Sequence, residues 1–259
     1  MENEVLLKKR LIELSHRAFE RGYTTYSNFL NLQEINILKS IKTDSAYTLF
    51  GGYENADRCI AAFGDEIYSY PIICIKVEPL QQKFSDKLTH RDFLGALMNL
   101  GIEREMLGDI KILDNIGYVF CLEKISKYII DNLSGIKHTT VKCNIIDDIP
   151  EMFNKLPDET EYIVSSLRID TVVSAVFKMS RNAASQLVNQ EKIFINSKTI
   201  YKDSVQLKEN DVVSVRGYGK FIYSQTLNET KKHKIVVAIR LYSPLTLISN
   251  IFFFINRTY

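Results

Sequence analysis

The chain has 259 residues, enough for one large domain or two to three small ones, each able to bury a core. Its 46% apolar and 25% charged residues exclude wholesale disorder. Its four scattered cysteines (Cys59, Cys74, Cys121, Cys143), with no C-x-x-C pair, exclude a zinc module and a disulfide scaffold, so no metal or cofactor is expected. The net charge of +2 conceals two halves: residues 1–160 carry 19 cations and 24 anions, whereas Glu161 to Arg240 holds 13 cations against 7 anions, the pattern of a polyanion-binding module joined to something else.

Charges interrupt every apolar stretch of the first residues, so no signal-peptide core forms there and a cytosolic setting is expected. An amphipathic helix carrying Val5, Leu6, Ile12 and Leu14 opens the chain. A second helix follows from a capping box, Asn31-Leu-Gln-Glu34. A short strand, Tyr47 to Phe50, ends at Gly51-Gly52 and leads to a helix around Ala56 to Phe63. Residues 1–68 thus read as a mainly helical region.

From residue 69 to 148 the order is strand (Ile72 to Val77), helix (Arg91 to Leu100), two strands hinged at Asp114 to Gly117 (Ile110 to Leu113 and Tyr118 to Leu122), helix (Glu123 to Leu133) and strand (Lys137 to Ile146). This is the split βαβ arrangement of ferredoxin-like and RNA-recognition folds, a four-stranded sheet with two helices on one face. RNA-recognition sheets stack bases on aromatics of their middle strands. Gly117-Tyr118-Val119-Phe120 echoes that run faintly, and its rings suit either core packing or stacking. Residues 149–164 read as a linker.

In the basic module, residues 165–240, Ile169, Val172, Val173, Val176 and Phe177 form one buried stripe of a helix that Ser165 or Ser166 can cap. A second helix starts at Ser180, with Ala184, Leu187 and Val188 inward and Asn182 and Ser185 on its other faces. Each helix places an arginine, Arg168 or Arg181, in its first turn, where the partial positive charge disfavours a cation. A phosphate met jointly by free N–H groups and guanidinium would turn that fault into a binding feature. Strands follow at Ile193 and Ile195, then a turn at Asn196-Ser197, and a last strand through Val213 and Val215. Lys178, Lys192, Lys198 and Lys202 complete a cationic saddle. Residues 241–259 are a tail with an apolar run, Leu245 to Ile255, too short to span a bilayer as a helix.

Leu167-Arg-Ile-Asp170, Ser180-Arg181, Ala184, Leu187-Val188, Ile195-Asn196 and Asp211-Val-Val-Ser-Val-Arg216 resemble the alpha-L RNA-binding domain of small-subunit ribosomal protein four. The same domain occurs in pseudouridine synthases, a heat-shock ribosome-rescue protein and tyrosyl-tRNA synthetase. Ser197 departs from the glycine usual in that hairpin turn. The run His90 to Arg104, with Leu107-Gly-Asp-Ile110 and Gly51-Gly-Tyr-Glu-Asn-Ala-Asp-Arg58, resembles the YlmH family of bacterial alpha-L domain proteins. The resemblance implies an α+β chain: a helical N-terminal piece, a central split βαβ domain and a C-terminal alpha-L domain. It implies a non-catalytic RNA-binding factor of the large ribosomal subunit, holding peptidyl-tRNA or rRNA in rescue of stalled translation, with a link to cell division. Arg168, Lys178, Ser180, Arg181, Asn182, Ser185, Lys192, Lys198 and Lys202 would then bind RNA, with His90, Arg91 and Arg104 as secondary contacts.

Motifs for catalysis fail. His90-Arg91-Asp92 imitates a kinase catalytic loop, but Leu97 stands where that loop needs Asn, and no D-F-G follows. Arg168-Ile-Asp170 echoes the R-L-D of pseudouridine synthases without a synthase-sized domain, and Asp170 reads as an exposed acid or an ion-pair partner. The alternative to a binder is an RNA-modifying enzyme that uses the alpha-L domain to hold substrate. The acidic front half offers a surface for a protein partner.

Overall fold

The computed structural model describes residues 2–54 and 56–242, and divides into two compact units, Met1–Asn154 and Lys155–Tyr259. The apolar run from Leu245 to Ile255 lies outside the described residues.

The first unit opens with α1 (Glu2–Arg21), β1 (Thr25–Leu30), α2 (Leu32–Ser40), β2 (Tyr47–Phe50) and β3 (Cys59–Phe63). The capping box forms as expected: the Asn31 side chain accepts from Gln33 and Glu34 N–H, and Glu34 reaches back to Asn31 N–H. Two expectations are corrected. The stretch around Ala56 to Phe63 is not a helix, because its Cys-Ile-Ala-Ala-Phe run is the central strand of a three-stranded antiparallel sheet, β1-β3-β2, and is buried from Ile60 to Phe63. The buried face of α1 is Leu7, Leu11, Leu14 and Ala18, while Val5, Leu6 and Ile12 are exposed.

The split βαβ follows: β4 (Ile72–Pro79), α3 (His90–Asn99), β5 (Leu107–Leu113), β6 (Ile116–Leu122), α4 (Glu123–Asn132) and, where one strand is expected, a short hairpin of β7 (Gly135–Ile136) and β8 (Thr139–Ile146). The sheet order is β5-β6-β4-β8-β7, antiparallel throughout. The hinge between β5 and β6 is a two-residue turn in which Asp114 and Asn115 both have positive φ (50° and 65°), the type I′ geometry that matches strand twist. Period-two alternation sends Ile75, Val77, Val119 and Cys121 to one face, where they pack with Phe93, Leu97 and Ile129 of the two helices. Gly117 permits this: a Cβ there would stand 2.2 Å from the Phe93 ring.

Among its described residues the second unit has a six-stranded sheet, β11-β10-β12-β13-β14-β9, with two helices. Its elements are β9 (Glu159–Val164), α5 (Ile169–Val176), α6 (Arg181–Asn189), β10 (Ile193–Ile195), β11 (Lys198–Thr199), β12 (Asp211–Val215), β13 (Gly219–Glu229) and β14 (Ile235–Tyr242). Residues 159–164, expected in a linker, pair instead with β14. The strand through Val213 and Val215 is not the last, since the β13–β14 hairpin follows it. The expected helix stripe does form the core: Ile169, Val172, Val173 and Val176 pack with Ala184, Leu187, Val188, Val213, Val215 and Phe221.

Candidate nucleic-acid interface

The two helix starts of the second unit meet, but on a carboxylate. Asp170, one residue into α5 and 1% exposed, accepts from Arg168 (Nε to Oδ1 and a terminal nitrogen to Oδ2, both 3.1 Å) and from Arg181 Nε at 2.7 Å. Burial opposes the charged carboxyl, but the bonds from Arg168 and Arg181 outweigh it and hold Asp170 below the ordinary carboxylate range. The first-turn N–H groups of α5 are taken as well: Ile169 donates to the Val205 carbonyl, Asp170 to that of Asp203, and Thr171 to the Asp170 carboxylate. The joint phosphate seat with open N–H groups is therefore corrected at α5, whose start is filled by the protein's own oxygens. Neither Ser165 nor Ser166 caps the helix, because Arg168 occupies the N-cap position and Ser166 Oγ lies against Thr171 Oγ1. The second helix starts at Ser180 as expected, and the Ser180 side chain caps it by accepting from Ala183 N–H.

Around this clamp the loop after β11 folds over both helix starts. Asp203 reaches Arg168 at 3.2 Å and accepts from Ser185 Oγ, so it gathers Arg168, Ser185 and the neighbouring Lys202 with the clamp. Arg181 keeps 53% of its side chain open, so its terminal nitrogens face solvent while Nε is held. Lys178 connects the helices in the left-handed conformation (φ 51°). Lys178, Asn182, Lys198 and Lys202 are exposed, and among the described residues these three lysines make no ion pair. Lys192 stands apart, at the far end of α6. The Asn196-Ser197 turn has two positive φ angles (50° and 67°), so Ser197 adopts the conformation glycine would favour. Asp170 forms the ion pairs that were one of its two expected roles, and Asp203 is the organising residue that sequence reasoning missed. Spacing gave no signal for Asp203, whose contacts lie 18 and 35 residues away.

The first unit treats its candidate residues differently. Tyr118 and Phe120 point to the sheet face opposite the helices, where RNA-recognition folds stack bases. That face is roofed by the chain itself: Tyr53 packs on Phe120 (5.1 Å between centroids), and Phe153 meets Tyr118 edge-on at 5.1 Å. Phe120 is 0% and Tyr118 7% exposed, so of the two roles open to these rings the structure assigns core packing. The Gly51 to Arg58 loop is pinned by Asp109, which accepts from Tyr53 Oη at 2.6 Å and Asp57 N–H at 2.8 Å. Arg104 donates to the Leu107 and Gly108 carbonyls, and Arg58 to those of Leu107, Phe29 and Arg104. Burial, with Arg58 beside it, lowers Arg104 to about 10. Arg104 is thus a brace for the backbone. Desolvation and then Arg104 lower His90 from its ordinary value, although the imidazole is open to solvent on one side, and Arg91 is exposed. Cys74 and Cys121 are pushed up by burial to about 12, which makes them inert thiols. Among the described residues no three His, Cys, Asp or Glu side chains gather as metal ligands, and no helix is long and apolar enough to cross a membrane.

The chain is similar to known proteins. Residues 68–148 match the family model described as "Putative RNA-binding domain in YlmH". In this stretch the chain is similar to the YlmH proteins. Over 241 residues, 90% of each chain, it is 26% identical to the ribosome-associated protein quality control protein P2 of Bacillus subtilis (strain 168). The cell division protein ylmH from Streptococcus pneumoniae superposes on 59% of this chain and 94% of its own at a TM-score of 0.47 and 18% identity. The family match falls on the roofed sheet, whereas the exposed Lys178, Lys198 and Lys202 lie in the other unit.

Proposed function

We propose that the chain is a non-catalytic, cytosolic RNA-binding factor that associates with the large ribosomal subunit and holds tRNA or rRNA during quality control of stalled translation. The alpha-L module is its RNA-holding part. One observation carries this reading: the Asp170 clamp fixes Arg168 and Arg181 beside the exposed lysines 178 and 202, with Lys198 on the edge strand, so a preorganised guanidinium is surrounded by uncompensated cations. The ribosomal setting is supported by the relation to the Bacillus subtilis protein along 90% of both chains. Electrostatic binding of this kind is salt-dependent. With four phosphates neutralised, affinity falls roughly 100-fold between 50 and 200 mM salt.

The test is co-sedimentation with isolated large subunits, together with a salt titration of the affinity for a transfer RNA transcript. Lys178→Ala with Lys198→Ala and Lys202→Ala should weaken both and leave the melting temperature within a few degrees. A salt-insensitive affinity, or a triple variant that binds as tightly as the parent, overturns the reading. A change in RNA mass on incubation would favour a modifying enzyme.

A further inference from the structure

The second unit carries a basic feature outside the helix pair. β13 pairs with β12 only as far as Tyr223, opposite Asp211, and then continues to Glu229 with β14 as its partner. Residues 225–229 are all exposed, and two bulges, between Tyr223 and Gln225 and between Thr226 and Asn228, twist the strand away from a flat edge. At about 3.3 Å per residue this arm runs on the order of 17 Å past the end of β12.

Its tip is Lys231-Lys232-His233-Lys234, held in a defined turn. Thr230 N–H donates to the Lys234 carbonyl, His233 N–H to the Thr230 carbonyl, and Lys234 N–H to Thr230 Oγ1, with His233 at φ 55°. All four side chains are exposed, and among the described residues the three lysines have no carboxylate partner. Strand register locates the tip. Ile235, the residue after Lys234, pairs with Val164, and four residues beyond Val164 the chain reaches Arg168. Four residues span at most about 14 Å and a strand pair adds about 5 Å, so the arm's tip end, at Ile235, lies within about 20 Å of Arg168 in the clamp. The opposite end of the same strand pair carries Glu159 against Arg240.

We propose that the β13–β14 tip is a second RNA-backbone contact, in which Lys231, Lys232 and Lys234 neutralise phosphates on the same RNA that the clamp holds. An ordered turn bearing three unpaired cations suits a polyanion better than a neutral or basic partner, and its place at the clamp's end of the sheet makes one continuous track. This inference rests on the RNA-binding reading above.

The test uses the full-length protein and a fluorescein-labelled double-stranded RNA stem, with affinity measured from 50 to 200 mM salt. Parent, Lys231→Ala/Lys232→Ala/Lys234→Ala and Lys178→Ala/Lys198→Ala/Lys202→Ala are compared, with melting temperature as the folding control. The tip variant should flatten the slope of log K against log salt by about 2 to 3, with its melting temperature unchanged. An unchanged slope in the tip variant, while the helix-pair variant loses affinity, overturns the tip contact and leaves the main reading standing. That outcome would point to an acidic protein as the tip's partner. A parent that does not bind RNA overturns both.

Discussion

The split βαβ and the second unit use the same materials, a sheet with two helices packed on it, to opposite ends. In the split βαβ the open sheet face is the natural place for a ligand, and the chain closes it with Tyr53 from before the domain and Phe153 from after it. In the second unit the sheet is sealed by its helices, and the charged groups stand around the rim and on a hairpin arm. A resemblance at the level of fold therefore says little about which surface works. The aromatic positions that serve as stacking platforms elsewhere are core here, and the second unit instead gathers two arginines on one buried carboxylate beside exposed lysines.

The sharpest way to break this contrast is Phe120→Ala. If Phe120 is core, the first unit loses about 3 to 5 kcal/mol, read as a lower melting temperature, while RNA affinity per folded molecule is unchanged. Lost affinity at unchanged stability would mean that the ring stacks on bases. Asp170→Asn comes next. Removing the charged acceptor of two arginines should cost about 2 kcal/mol at neutral pH. Its folded pKa lies below the ordinary 3.8, so the stabilisation is present above that value and disappears as the pH falls through the depressed one. The gap between parent and variant in urea unfolding should be full at pH 6 and close on acidification below pH 4. The smallest effect is Ser197→Gly, which should stabilise the hairpin by about 0.5 to 1 kcal/mol, since glycine accepts φ 67° without strain.

The sequence made the split βαβ readable because each element carries a local signature: alternation in Ile72 to Val77, the turn at Asp114-Asn115, the helical period of the α5 stripe. Cys59 to Phe63 was misread because two alanines favour helix when judged locally, whereas pairing with β1 and β2 decides the outcome. β9 escaped notice for a related reason. Its Glu-Thr-Glu-Tyr run is an edge strand whose partner, β14, lies over 70 residues away. At the site, the arginines were found from their unfavourable place at helix starts. Of the two readings open to Asp170, exposed acid or ion-pair partner, the second is the one that forms; its burial is not legible, because nothing in spacing says that an acid two residues after an arginine will be buried.

The roof over the five-stranded sheet also constrains how this protein can be divided. Tyr53 and Phe153 both fall outside residues 68–148, so a fragment trimmed to those limits keeps every strand and helix of its fold yet uncovers Phe120 and Tyr118 to water. Such a fragment would present a sticky aromatic plane that the intact chain never displays, and RNA or protein captured by it would report on the cut.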